Sequence, residues 1–327
     1  KSARGFALLD GDARRPRKAE PVVLPEDAST ALAFRLIALA CLRHLRRNED
    51  VFLENRDPEA LHQIRVALRR LRSAFSLFAP VFAQGSAHDP RAQSFADEIK
   101  RVTEPFGRAR NLDVFLATTL PAEGERRPDE QIGLDALKER LEAERERAYA
   151  AVTGILDAPE WRSLLLDLVA WIETGDWAEA PAARDVTARD FAAGVLERFR
   201  GRVRKRGRRL ARLDPEARHR VRIAAKKLRY GAEFFASLYP KKKARRRHKA
   251  LSSALSDLQD HLGALNDLAT AHTVMAGLAD EGGAPTPGPA LFAAGLTAAD
   301  NEARTGRLLK EAGSAHEALV DVKPFWR

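Results

Sequence analysis

From Glu26 onward, apolar residues recur at steps of three and four, the spacing that lines one face of an α-helix. Between Asp57 and Phe82 the stripe is Leu61, Ile64, Leu68, Leu71, Phe75 and Phe78; between Asp214 and Tyr239 it is Val221, Ala225, Leu228, Ala232 and Phe235. Ala, Leu, Arg and Glu dominate and β-branched runs are absent, so the pattern predicts an all-α chain. Helices are predicted over 27–55, 58–82, 90–104, 107–120, 129–157, 160–174, 184–212, 215–239, 241–261, 263–280 and 289–311. Asp57-Pro58, Asp89-Pro90 and Asp214-Pro215 each offer an N-cap carboxylate followed by a proline at the first helical position. Gly107 and Gly263 are expected to break consecutive helices, and Gly282 to Pro289 reads as a loop. Residues 1–25, with Gly5, Gly11, Pro16, Pro21 and Pro25, read as a linker or the tail of a preceding domain.

The two stripes belong to a longer repeat. Asp57 to Phe82 and Asp214 to Tyr239 share 11 of 26 residues without a gap. Gly107-Arg108-Ala109-Arg110-Asn111 faces Gly263-Ala264-Leu265-Asn266-Asp267 at nearly the same offset. A unit this long is not a solenoid repeat. It predicts two similar antiparallel helical bundles, over 26–181 and 182–327, divided near Pro181.

Charge sharpens the picture. The 327 residues carry a net charge of +10, with hydrophobic residues at 45%, which excludes a disordered polymer. From Arg198 to Lys249, 22 Lys or Arg face three acids, a local +19 that leaves the rest of the chain at −9. Such a region asks for a polyanion. Cys41 is the single cysteine, which excludes an intrachain disulfide and suits a reducing compartment such as the cytoplasm. The longest apolar stretch, Leu164 to Ile172, contains Asp167 and is too short to cross a bilayer, so no membrane partner is expected. Lys1 opens the chain and the sole methionine is Met275, so a piece of a longer protein is expected.

Beside the first apolar stripe, His62, Arg65, Arg69 and Arg72 fall within about 80° on a helix and span about 15 Å. His219, Arg222, Lys226 and Arg229 repeat the arrangement. A cationic stripe flanking a core stripe should line a groove between helices, where the cations repel one another unless an anion arrives. Arg holds phosphate oxygens bidentately and Lys adds a point charge. Arg43 with Arg47, and Arg200 with Arg204, stand at matching positions of the preceding helices and are candidates for the same groove. The run Lys241 to Lys249 has no counterpart in the first copy and reads as a solvated outer patch. Nucleic acid stays open as the ligand, but only Tyr230 and Tyr239 lie in the basic region as candidates for base stacking, which favours phosphates without bases.

No P-loop, dinucleotide fingerprint, HExxH or CxxC pair is present, and neither His62 nor His219 has a second ligand at i+3 or i+4. No catalytic residue, metal site or cofactor is expected, although phosphohistidine chemistry is left open. Asp113, Asp257, Asp260 and Asp267 are expected to orient arginines.

His62-Gln63-Ile64-Arg65-Val66-Ala67-Leu68-Arg69-Arg70-Leu71-Arg72 and His219-Arg220-Val221-Arg222-Ile223-Ala224-Ala225-Lys226-Lys227-Leu228-Arg229-Tyr230 resemble the paired signatures of the CHAD family, the conserved-histidine α-helical domain. The resemblance covers about residues 26 to 327 and implies two helical bundles around a basic central groove or pore. It implies non-catalytic binding of inorganic polyphosphate and association with polyphosphate granules. The implied contacts are His62, Arg65, Arg69, Arg72, His219, Arg222, Lys226 and Arg229. Lys226-Lys227 departs from the first copy's Arg69-Arg70, keeping charge but losing bidentate geometry. Lys1 to Leu9 looks like the end of a CYTH triphosphate-tunnel domain, which often precedes a CHAD domain in bacteria.

Overall fold

The computed structural model describes residues 15–83, 89–126, 128–280 and 288–327, and no side chains between 269 and 304. Its helices start where the sequence supplies caps. Ser29 accepts the amide of Leu32 at 3.2 Å and opens α1 (Thr30–Asn55). Asp57 accepts the amides of Glu59 and Ala60 at 2.7 and 2.9 Å ahead of Pro58, which fixes the start of α2 (Pro58–Phe82). Both caps satisfy N–H groups that a first helical turn leaves without a partner. Asp89 accepts the amide of Arg91 at 3.0 Å and the buried indole N–H of Trp171 at 2.7 Å, just before α3 (Arg91–Val102). The chain continues through α4 (Pro105–Val114), a π-helical turn over Phe115–Thr119, α5 (Leu120–Arg126), α6 (Gln131–Asp157), α7 (Pro159–Thr174) and the single turn α8 (Pro181–Arg184). Thr187 caps α9 (Ala188–Arg206) on the amide of Asp190 at 3.1 Å, and Asp214 caps α10 (Pro215–Phe234) on that of Ala217 at 2.7 Å. The long helices α11 (Lys242–Asp280) and α12 (Gly288–Asp321) complete an all-α fold without a strand among the described residues.

Helices that correspond in the sequence repeat lie against one another: α1 packs on α9, α2 on α10, and α6 on α12. At one end the two N-caps meet. Ser29 and Thr187 form an antiparallel bridge in which the amide of Thr30 donates to Val186 O at 3.0 Å and that of Ala188 to Ala28 O at 2.8 Å. One continuous apolar core runs through both halves. At its aromatic centre, Phe34 of α1 meets Phe75, Phe78 and Phe82 of α2 and also Trp171 and Trp177, with ring centroids 5.0 to 5.9 Å apart. The stripes read from the sequence supply these contacts: Leu61, Ile64, Leu68, Leu71, Phe75 and Phe78 are all buried, as are Val221, Ala225, Leu228, Ala232 and Phe235.

Several expectations are corrected. Gly263 does not break a helix; α11 runs through it. A glycine inside a helix costs about 1 kcal/mol relative to alanine, which the buried Leu258, Leu262 and Leu265 on one face outweigh. In the first half the break falls at Thr103 and Glu104, before Pro105, and Gly107 sits inside α4. The helix expected over 184–212 ends at Arg206; at Gly207, its C-cap, the His316 ring fills the place a Cβ would take. The helix expected over 215–239 ends at Phe234 and gives way to a 3-10 turn over Ala236–Leu238.

The segment before α1, expected as a linker, is strapped down from residue 17 onward. Arg17 N donates to Asn48 Oδ1 at 2.8 Å, and Arg17 O accepts from His44 Nε2 and Asn48 Nδ2, both at 2.9 Å. Val22 and Leu24 are buried, and Leu24 N donates to Ser237 Oγ of the second half at 2.9 Å. Lys1 to Leu9 and most of the loop expected over Gly282 to Pro289 lie outside the described residues.

Candidate anion-binding site

Because α2 packs on α10, the two cationic stripes meet along one seam. Arg65 and Arg69 come from α2; Arg222, Lys226 and Arg229 come from α10. Their mutual fields show in their protonation. Burial, reinforced by the charges of Arg69, Arg110 and Arg222, pushes the Arg65 pKa down to about 10. Burial, reinforced by Arg222, Arg69, Arg229 and Arg65, pushes the Lys226 amine down to about 6. Arg222 is lowered as well, chiefly by burial.

Little within the protein answers this charge. Arg222 Nη1 donates to Asn266 Oδ1 at 3.3 Å, and Arg229 Nε stands 3.8 Å from Glu233. Among the described residues no carboxylate lies within ion-pair distance of Arg65, Arg69, Arg222 or Lys226. The Nε atoms of Arg69, Arg222 and Arg229 are buried with no protein acceptor among those residues. Buried polar groups are nearly always paired. Arg140, Arg145 and Arg200 also have such an Nε, but those of Arg69, Arg222 and Arg229 lie in one seam beside Arg65 and Lys226. Behind the seam, Asp113 stands 4.0 Å from Arg110 and accepts the phenol of Tyr149 at 2.8 Å. Burial raises the pKa of Asp113 and also that of Asp267, where the charge of Arg222 opposes the rise most.

On the first-half side, Arg65, Arg69 and Arg72 open into a cavity of about 950 Å³ closed by α3 and the start of α4. The break at Thr103–Glu104 creates this space. Gly107 lets α4 come close, since a Cβ there would stand 3.1 Å from the Arg65 guanidinium. The far wall carries Asp97, Glu98 and Glu104 beside Lys100 and Arg101, so the cavity is cationic on one side only.

The remaining candidates divide. His62 is half-buried at the edge of the seam; burial first, then Arg110, Arg69 and Arg65, lower its pKa, and only Glu59 opposes them. His219 is exposed on α10. Arg43 and Arg47 are not part of the cluster: Arg47 forms an ion pair with Glu20, and both cations act on that carboxylate. Arg200 donates to Val320 O and Val322 O at 2.9 and 3.2 Å, where it caps the end of α12. Arg204 is exposed on α9. Arg247, within the run Lys241 to Lys249, donates to Pro324 O at 3.3 Å and Arg327 O at 3.2 Å, and the lysines around it are exposed. Asp257 and Asp260 are exposed as well.

Two residues that sequence reasoning passed over matter. Arg110 adds its charge to both His62 and Arg65, and its place in the repeated Gly107 to Asn111 segment was the available signal. Arg70, next to the stripe, is buried instead: it pairs with Glu233 of α10 and lies over the Phe234 and Tyr230 rings at 4.8 and 5.6 Å. Tyr230 is thereby enclosed, and Tyr239 is buried with its hydroxyl donating to Arg189 O at 3.0 Å. No aromatic side chain is exposed among the described residues. Within the same residues no group of three His, Cys, Asp or Glu side chains could hold a metal ion, and no helix is long and apolar enough to cross a membrane.

These features define an all-helical protein in which two counterpart helices pool their cations. The family model of the CHAD domain matches residues 36–276, and the chain belongs to that family. The crystal structure of the CHAD domain from the plant Ricinus communis is similar over 94% of this chain and 98% of its own, with a TM-score of 0.80 and 31% sequence identity. No curated protein matches the chain.

Proposed function

We propose that the chain is a non-catalytic binding module for inorganic polyphosphate, which it holds along the seam between α2 and α10. The observation that carries this reading is the set of buried guanidinium Nε donors, of Arg69 on one helix and Arg222 and Arg229 on the other, that have no hydrogen-bond acceptor among the described residues. A phosphate chain offers acceptors at every unit and relieves the repulsion that burial imposes on these cations. Arg65, Arg69 and Arg72 would contact it from one side, Arg222, Lys226 and Arg229 from the other, with His62 and His219 at the entrances. Arg47 and Arg200 have other partners and drop out of this proposal, and the exposed Arg43 and Arg204 have no part in it. Membership of the CHAD family and the absence of an exposed aromatic side chain among the described residues support a ligand with phosphates and no bases over a single-stranded nucleic acid. A module of this kind would anchor its owner to polyphosphate granules in the cytoplasm.

Competition binding at matched phosphate concentration tests the reading. Long-chain polyphosphate should displace a labelled polyphosphate tracer at lower phosphate concentration than single-stranded DNA or RNA does. Nucleic acid competing as well as polyphosphate, or better, would turn the reading toward a nucleic-acid-binding protein.

A further inference from the structure

Near the seam lies a cationic stripe that the repeat does not account for. On α9, Arg198, Arg202 and Arg206 stand at i, i+4 and i+8, within about 80° of one another on the helix. Their counterparts at the repeat offset are Cys41, Leu45 and Glu49, all buried and none cationic, so this stripe is peculiar to the second half. The guanidinium of Arg198 donates to Leu77 O of α2 at 3.4 Å, which brings that end of the stripe beside the Arg72 end of the seam. Arg202 lies over the Phe199 ring at 4.7 Å and, like Arg206, is exposed. Lys227 of α10 is half-buried, and the charges of Arg72 of α2 and of Arg202 and Arg206 of α9 all act on it, which puts it within reach of both the seam and the stripe. The acid of this part of α9, Glu197, is turned away: it engages Arg200 at 3.7 Å, Arg327 at 3.1 Å and the Trp326 indole at 3.2 Å. The alternative route past Arg72 enters the cavity whose far wall carries Asp97, Glu98 and Glu104 beside Lys100 and Arg101, with Glu98 paired to Arg101, so an anion there meets mixed charge and not a cationic track.

We infer that a long phosphate chain leaving the seam turns at Arg72 and Lys227 onto α9, where Arg198, Arg202 and Arg206 form a second, distal binding segment. The segment adds about 12 Å of cationic track at 1.5 Å per residue. It therefore makes the protein selective for chain length: a short oligophosphate fills the seam alone, and a long one also engages α9. This inference rests on the polyphosphate reading above.

The test compares tripolyphosphate with long-chain polyphosphate across three proteins: wild type, Arg198→Ala/Arg202→Ala/Arg206→Ala, and Arg65→Ala/Arg69→Ala. The α9 variant should lose about tenfold or more in affinity for the long chain, since three charge-assisted contacts are removed together. Its tripolyphosphate affinity should change by less than about twofold, the scale of a surface change at a distance. Its log–log salt slope with the long chain should fall by about two, at roughly 0.7 per charge removed. The seam variant should weaken both ligands. Arg202→Ala/Arg206→Ala, which leaves the Arg198 bond to α2 in place, should show the same chain-length pattern and guards against a folding defect. Unchanged long-chain affinity in the α9 variants, beside a weakened seam variant, would overturn the distal segment and leave the polyphosphate reading standing. Equal loss for both ligands would overturn it too. Failure of the wild type to bind either ligand would remove the reading and this inference together.

Discussion

The two walls of the seam carry one motif and behave differently. On the α2 wall every cation of the central pair is arginine, and even in the crowded seam Arg65 is lowered only to about 10, well above neutrality. On the α10 wall, Lys226 stands where α2 has Arg69, and burial among the arginines brings it to about 6. The guanidinium keeps its charge by delocalising it, and the compact ammonium gives it up. The same substitution that costs bidentate geometry thus makes one wall titratable. The surroundings differ as well. The α2 wall faces a cavity opened by the break before Pro105, with acids on the far side, and the α10 wall is backed by an unbroken α11. On the proposed function, the repeated cationic stripe would set where the anion binds, and the unrepeated neighbours how each half holds it.

The largest effect expected is loss of either wall. Arg65→Ala/Arg69→Ala and Arg222→Ala/Lys226→Ala should each reduce polyphosphate affinity by about two orders of magnitude, given about 1.5–3 kcal/mol per charged contact before screening. The four-fold variant should lose less than the sum, because contacts within one site do not add. A wall whose removal leaves affinity unchanged would break the comparison at its root.

Protonation sharpens it next. Free Lys226 is largely neutral at neutral pH and protonated below about 6; a phosphate chain beside it raises its pKa. Binding of long-chain polyphosphate should therefore take up a proton near neutrality, and affinity should rise as the pH falls from about 8 toward 6. His62, also lowered by burial, adds to the uptake in the same direction. Titrations in buffers of different ionisation enthalpy measure it. Lys226→Arg should reduce the uptake, and wild-type binding with no proton exchange would contradict the assignment.

A smaller effect, on stability alone, is expected at Arg70, which is 8% exposed and paired across the halves with Glu233, itself 36% exposed. Arg70→Met should cost about 2 kcal/mol of unfolding free energy, between the exposed and fully buried cases, with polyphosphate affinity unchanged. A loss of affinity at unchanged stability would place Arg70 in the groove instead.

Much of this architecture was legible in local pattern. The Asp57-Pro58 and Asp214-Pro215 caps, the two apolar stripes and the cations beside them depend on neighbours three or four residues away, and the structure has them where the spacing predicts. What escaped depends on distant partners. Arg47 is engaged by Glu20, and Arg200 by the carbonyls of Val320 and Val322, none of which its own helix reveals. Arg70 follows Arg69 directly in the sequence, and only Glu233 and Phe234 of the other half set it apart as a buried residue. Gly263 was misread because a glycine's cost is local and the packing of Leu258, Leu262 and Leu265 that overrides it is not.

The claim that both walls build one site is tested most directly by calorimetric stoichiometry with a short polyphosphate of defined length. One shared seam predicts one chain bound per protein in the wild type, and the same stoichiometry with weaker affinity in Arg65→Ala/Arg69→Ala and in Arg222→Ala/Lys226→Ala. Two separate sites would instead give a wild-type stoichiometry that each double variant halves while the remaining affinity stays at its wild-type value, and that result would contradict the shared seam.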